Sequence, residues 1–114
     1  MAFSFHIQEE DKLSIIQFNG KLTNEGDAKT LNDKIDQEIS SGQVNWVFDL
    51  SELSHCNSSG LNVMIRSLTK TRTAGGDTVL CSLNDGLKQI FSIAKTDEIF
   101  SIFADVKQAK QHFN

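Results

Sequence analysis

The chain has 114 residues, no proline and a formal net charge of −4, which suits one domain that buries a core without disulfides or metal. Its charges are well mixed, with no basic patch among aromatic residues and no apolar run of membrane length, so we expect neither direct nucleic-acid binding nor membrane insertion. Cys56 and Cys81 lack paired spacing and the N-terminus lacks a basic, apolar leader, which argues against a zinc site and for a cytoplasmic protein.

The N-terminal segment predicts a β-hairpin. Apolar and polar residues alternate from Phe3 to Gln8, which is the period of a strand with one buried face. A polar turn at 9–11 leads to a second apolar run from Leu13 to Phe18, which Asn19-Gly20 should end. Because the connection is short, the two runs should pair as antiparallel strands, with the first at an edge of the sheet.

An amphipathic helix is predicted next. Thr23 or Asn24 can cap its start, and Gly42 can end it. One face carries acidic and basic residues at i, i+4 spacing, which is typical of a solvated surface rather than of a site. The apolar positions at helical spacing are Ala28, Leu31, Ile35 and Ile39.

A buried strand followed by a helix start forms the centre of the chain. The nearly continuous apolar run from Val44 to Leu50 predicts a strand covered on both faces, and Asp49 and Ser51 should mark its end. After a bend, Asn57 can cap a helix that opens at Ser58, with Cys56 and Leu61 at the spacing of a hydrophobic staple. Ser58 and Ser59 therefore lie where a helix N-terminus favours a negative group, and a serine there could carry a phosphate.

This second helix should continue to Gly75-Gly76. Its buried stripe is predicted from Leu61, Met64, Ile65 and Leu68. On a helical wheel the opposite face carries Ser59, Val63, Arg66 and Lys70. We interpret the outward Val63, next to the serines, as part of a contact surface.

The remaining chain predicts two strands and two helices. A strand from Asp77 to Leu83 is followed by a helix that Asn84 or Asp85 caps, then by a strand from Ile99 to Phe103 and a helix from Asp105. The apolar positions of these helices are Leu87, Ile90, Phe91 and Ala94, then Val106, Ala109 and Phe113. The pattern predicts a single α/β domain over 1–114, with about four helices on a mainly parallel sheet and an antiparallel N-terminal hairpin. The strand order is left open.

The central segment D-L-S-E-L-S-H-C-N-S-S-G-L resembles the signature of STAS domains. The A-G-G-D-T-V-L-C strand and the L-K-Q-I-F helix are similar to those of stand-alone bacterial anti-sigma factor antagonists. This resemblance implies that Ser58 is the phosphorylated serine, with Ser59 as the alternative because both hydroxyls should be exposed. It also makes Asp49, Asn57 and Gly60 motif residues. Asp49 could either lie in the neighbourhood of the phosphorylation site or bond backbone N–H groups at the strand exit.

The resemblance also implies a function. The unphosphorylated protein would bind an anti-sigma factor that is a serine kinase and so release a sigma factor, and a serine phosphatase would restore it. The contact residues would be Ser59, Asn62, Val63, Arg66 and Lys70. Since Asn57 stands where those antagonists usually have Asp, a second hypothesis remains open: a structural STAS subunit of a lipid-transport ATPase complex or a stress-signalling assembly. A small-molecule or nucleotide sensor is a third hypothesis.

Enzyme chemistry finds little support in the sequence. A hydrolase nucleophile elbow needs G-x-S-x-G, whereas this chain has H-C-N-S-S-G. His6, His55 and His112 are more typical of surface residues than of a catalytic base, and adjacent His55 and Cys56 lack a second pair of metal ligands. We therefore expect no enzymatic activity, cofactor or metal.

Overall fold

A five-stranded mixed sheet forms the centre of the molecule, which is a computed structural model describing residues 2–114. The strands follow the order β1-β2-β3-β4-β5; β1 is antiparallel to β2, and the other neighbours are parallel. This arrangement confirms the predicted α/β class and fixes the strand order. The elements are β1 Ser4–Glu10, β2 Leu13–Leu22, α1 Glu25–Ser40, β3 Asn45–Cys56, α2 Ser58–Thr73, β4 Asp77–Cys81, α3 Asp85–Ile93, β5 Ile102–Phe103 and α4 Val106–Gln111.

The three crossover helices lie on one face of the sheet. From β2 onward each strand is added beside the previous one in the same direction, and because crossovers are right-handed, α1, α2 and α3 all fall on the same side. They share a core with Phe18, Trp46 and Phe48, all fully buried. Only α4 covers the other face, where Ala109 packs near Val47 of β3. Residues 46–50 of β3 are thus covered on both faces except at Asp49, as the apolar run predicts.

The two central strands are longer than the sequence predicts. Asn19-Gly20 and Ser51 were expected to end them, but β2 and β3 stay paired up to Leu22 and Cys56. Register shifts between Gln17 and Asn19 and between Gly20 and Lys21 mark irregularities in the ladder. The left-handed φ of Gly20, +89°, therefore belongs to a bulged strand rather than to a strand end.

Other element boundaries shift by a few residues. The hairpin turn lies at Asp11-Lys12, both with positive φ, rather than at 9–11. The fourth strand ends at Cys81 instead of Leu83, because Ser82 takes a left-handed conformation. The last strand begins only at Ile102, since Thr96–Glu98 forms a turn of 3₁₀ helix.

Side-chain caps begin all four helices, three of them at predicted cap residues and the fourth at Asp105, the predicted start of the last helix. Asn24 accepts a hydrogen bond from the N–H of Asp27 at 2.7 Å, and Asn84 accepts one from Leu87 at 2.8 Å, which settles both pairs of alternatives. Asp105 caps α4 through the N–H of Gln108 at 2.9 Å. These local signals place the helix starts accurately because each cap satisfies backbone donors that the helix itself leaves free.

Gly60 lets α2 approach the sheet closely. A Cβ at this position would lie 2.7 Å from Sγ of Cys56 and 2.8 Å from Cγ of Leu22. Both neighbours belong to the core, so neither can move without loosening it. The motif glycine is thus required by packing rather than by backbone conformation.

We therefore expect Gly60→Ala to destabilise the fold by about 1–3 kcal/mol, the usual cost of overpacking a core. Gly86→Ala is the matched control, because Gly86 also lies in the first turn of a helix and its Cβ would only touch Asn84 at 3.4 Å. There the change should be neutral or stabilise by up to about 1 kcal/mol. Urea unfolding of the two variants measures the difference, and equal stabilities would contradict the packing role of Gly60.

Candidate functional site

The start of α2 presents Ser58 to solvent. Ser58 is the first residue of the helix and is exposed, whereas Ser59 is only half-exposed because it lies beside α1. The expectation that both hydroxyls are exposed is thus met only by Ser58. The first turn carries no acidic residue and the cap is a neutral amide, so nothing on the helix offsets the positive end of its dipole. This geometry favours an anion next to Ser58.

Asn57 makes more contacts than a cap requires. Its Oδ1 accepts hydrogen bonds from the backbone N–H groups of Ser59 at 3.1 Å and Gly60 at 3.3 Å, as predicted. Its Nδ2 also donates to the carbonyl oxygen of Thr23 at 2.7 Å, and its own N–H donates to Leu22 at 3.2 Å. The start of α2 is therefore tied to the connection between β2 and α1. The sequence predicts the cap but gives no signal for the bond to Thr23.

Asp49 lies away from this helix start. Its Oδ1 accepts the N–H of Ser51 at 3.0 Å, which confirms the role of binding backbone at this point of the chain. Its side chain lines a hollow on the α4 side of the sheet with Gln17 and Lys110. At about 3.3 Å per strand residue, the run from Asp49 to Cys56 separates Asp49 from the serines by about 20 Å. The expectation that Asp49 neighbours the phosphorylation site is wrong.

Val63 is buried, contrary to the prediction of an outward face. Its side chain is only 5% exposed and belongs to the main core. The physical reason is that α2 packs against both the sheet and α1, so its buried arc is wider than a one-sided wheel assumes. Val63 can therefore contribute to a contact only through the surface between the two helices.

A slot of about 310 Å³ opens between α1 and α2 beside Ser59. Its lining is Glu25, Ala28, Lys29 and Asn32 from α1, and Ser59, Asn62, Val63 and Arg66 from α2. Sequence reasoning named the four α2 residues but missed the four from α1. The one signal was Ala28, a small residue in an otherwise large apolar stripe, which leaves space where two helices meet.

Arg66 and Lys70 bridge α2 to α1 through one carboxylate. Lys70 Nζ lies 2.9 Å from Asp36 Oδ1, and Arg66 Nη2 lies 3.6 Å from Asp36 Oδ2. Both pairs are partly exposed, so each contributes little to stability. Of the five predicted contact residues, Lys70 alone does not line the slot.

The histidine and cysteine side chains do not form a catalytic group with Ser58. His55 Nδ1 lies 3.1 Å from the hydroxyl of Ser54, and His112 Nε2 lies 2.9 Å from Asp77. Burial raises the pKa of Cys56 and of Cys81 to about 11, so both thiols stay protonated at neutral pH. Residues 2–114 contain no group of three side chains able to hold a metal ion. None of the helices described in this range has the length and apolar character needed to cross a membrane.

Comparison with known proteins gives a consistent result. The STAS domain family model matches residues 4–109. BtrV of Bordetella bronchiseptica, named as a candidate anti-sigma factor antagonist, is 26% identical over 98 residues, which are 80% of this chain and 84% of BtrV. The Thermotoga maritima protein TM1081, described in the same terms, superposes with a TM-score of 0.89 at 23% identity over 95% of this chain and 92% of its own. Phosphorylated SpoIIAA, a Bacillus cell fate determinant, gives 0.79 at 17% identity over 97% of this chain and 100% of its own.

Because Asn57 both caps α2 and donates to Thr23, we expect stability to fall from wild type to Asn57→Asp and further to Asn57→Ala. Asn57→Asp keeps the cap but loses the donor to Thr23 and sets a carboxylate against that carbonyl oxygen, so it should cost about 1 kcal/mol despite the favourable helix dipole. Asn57→Ala loses both functions and should cost about 2 kcal/mol. Asp105→Asn is the reciprocal control, since its cap bonds only Gln108, and it should change stability by less than about 0.5 kcal/mol. An Asn57→Asp variant as stable as wild type in urea unfolding would show that the Thr23 bond contributes nothing.

Because Val63 is buried, we expect a charged side chain at this position to destabilise the folded protein. Val63→Asp should destabilise the protein by about 3 kcal/mol or more, because the carboxylate would be buried without a partner. Asn62→Asp, one residue earlier and exposed, should leave the melting temperature nearly unchanged. Thermal unfolding followed by circular dichroism compares the two, and a stable Val63→Asp protein would contradict the observed packing.

Proposed function

Since this chain belongs to the STAS domain family, we propose that it is an anti-sigma factor antagonist switched by phosphorylation of Ser58. In the unphosphorylated form it binds an anti-sigma factor that is also a serine kinase, and the sigma factor is released. Phosphorylation by the same partner ends the interaction, and a serine phosphatase reverses it. The protein acts in the cytoplasm as a binding regulator and not as an enzyme.

One observation carries this proposal: Ser58 is an exposed hydroxyl at the N-terminus of a helix whose first turn has no acidic residue. A phosphate there adds roughly −1.5 to −2 charges at neutral pH, in a position where the helix dipole stabilises them. The free domain therefore tolerates the modification. A partner that covers Ser58 would have to bury the charge, which costs several kcal/mol if it is left unpaired.

The relatives support the general role. BtrV carries the name of a candidate anti-sigma factor antagonist, and SpoIIAA has been solved in unphosphorylated and phosphorylated forms. The shared fold of the phosphorylated SpoIIAA supports the idea that such a domain holds a phosphate without refolding. Ser58 is preferred to Ser59 here because a kinase must reach the hydroxyl, and Ser59 is partly covered by α1.

A structural STAS subunit, for example of a lipid-transport ATPase complex or a stress-signalling assembly, is the second candidate. Asn57 favours it, since its amide fixes the start of α2 to Thr23 and suits a permanent contact surface. In that case Ser58 would never be modified. The two candidates differ in whether a kinase adds phosphate to this helix.

The switch is tested with three variants and a purified anti-sigma factor kinase from the same genome. Wild type and Ser59→Ala should each take up one phosphate, as measured by intact mass, and Ser58→Ala none. Ser58→Ala should bind constitutively, whereas complete phosphorylation should weaken binding about a hundredfold or more, which is about 2.8 kcal/mol. Ser58→Asp carries less charge and should bind detectably worse than wild type in calorimetric titration.

Two results would decide against the switch at Ser58. Phosphate uptake by Ser58→Ala would move the site to Ser59. Absence of phosphate on wild type, together with normal binding by Ser58→Asp, would favour the structural-subunit function.

A further inference from the structure

We propose that the slot between α1 and α2 is the anchor pocket of this interaction, and that it receives an apolar side chain of the partner flanked by carboxylates. The inference deepens the proposed function and rests on it for the identity of the partner. The contact surface would then be the space between α1 and α2 rather than the exposed face of α2 alone.

The floor of the slot is apolar. Ala28 and Val63, which are 7% and 5% exposed, close its base, and the hollow of about 310 Å³ is large enough for one bulky apolar side chain. Interfaces draw most of their binding free energy from a few such anchors in well-packed pockets. The small side chain of Ala28 is what keeps this space open.

Two exposed cations lie on the rim of the slot. Lys29 on α1 and Arg66 on α2 are 76% and 55% exposed, and both line the opening. Lys29 is paired with Asp33 at 2.7 Å, whereas the 3.6 Å contact of Arg66 with Asp36 leaves most of its donors free. Glu25 is the one opposing charge in the lining. Both cations are well exposed, so they can pair with acidic residues of a partner beside the anchoring side chain.

The position of the slot explains how phosphate would end binding without a change of fold. Ser59 lines the slot and Ser58 precedes it, so a phosphate on Ser58 lies close to the opening. Its negative charge would repel the same carboxylates that the rim attracts. Release then follows from electrostatics at the entrance.

Two pairs of charge reversals test the rim. Lys29→Glu and Arg66→Glu change residues of the slot, while Lys34→Glu and Arg72→Glu are controls on the same helices, each in an ion pair of its own outside the lining. Lys70→Glu is compared separately, because Lys70 is a predicted contact residue and shares Asp36 with Arg66. Calorimetric titration against the purified anti-sigma factor should show about tenfold weaker binding for each slot variant and less than about twofold change for each control.

A third pair tests the floor. Ala28→Leu fills the slot and should weaken binding about tenfold or more, whereas Thr30→Leu places the same leucine side chain on the exposed side of α1 and should bind like wild type. Thermal unfolding of each variant verifies that the fold is retained. If Ala28→Leu does not fold, the charge pairs alone decide.

The outcomes distinguish a failure of the anchor-pocket proposal from a failure of the proposed phosphorylation switch. If Lys29→Glu and Ala28→Leu bind like wild type while phosphorylation still abolishes binding, the slot is not the anchor and the proposed function stands. If Lys70→Glu weakens binding as much as Arg66→Glu and Lys29→Glu does not, the contact is the outer face of α2 and the slot proposal is wrong. If wild type binds no anti-sigma factor, both proposals fall.

Discussion

The side chain of Asn57 is the contact on which the geometry of the candidate site depends. Its oxygen caps α2 and its nitrogen holds the carbonyl of Thr23, so one amide fixes the start of α2 relative to the chain entering α1. Gly60 then lets the first turn settle against Leu22. An aspartate could supply the cap but not the donor, which is why the neutral amide has a structural meaning here beyond its capping preference.

The two helix starts together define a surface that neither forms alone. Residues of α1 and α2 that are more than thirty positions apart face each other across the slot, and Asp36 of α1 pairs with Arg66 of the lining and with Lys70 outside it. Because these pairs are partly exposed, they orient side chains rather than stabilise the fold. The charge pattern of the site is thus an interhelical property, and the exposed cations of the rim lie where the helices meet.

Much of the fold could be predicted from the sequence because its signals are local. Asn24, Asn57, Asn84 and Asp105 each cap a helix through bonds to residues two or three positions ahead, so the caps can be read without tertiary information. The course of β2 and β3 could not, since polar residues such as Asn19 and Glu52 continue the strands by pairing with each other beyond a local irregularity. The prediction that Val63 faces outward was wrong for a related reason. A helical wheel assumes that one side of the helix is buried, and only the packing shows that α1 covers a second side of α2. Asp49 was expected near Ser58 because both belong to one sequence motif, but the extended strand β3 keeps them far apart.

Because α1, α2 and α3 all lie on one face of the sheet, only the short helix α4 covers the other face. Six residues of α4 cover Val47 and Val79, and this C-terminal segment is linked to the sheet by an ion pair of Lys110 with Glu10 and a hydrogen bond between His112 and Asp77. Because these surface contacts are weak and the apolar cluster under α4 is small, we expect the free energy needed to detach α4 to be lower than that of global unfolding. Amide hydrogens of α4 can exchange through this partial opening while α1, α2 and the slot stay closed. The domain can thus loosen at its C-terminal layer without disturbing the surface that would meet a partner.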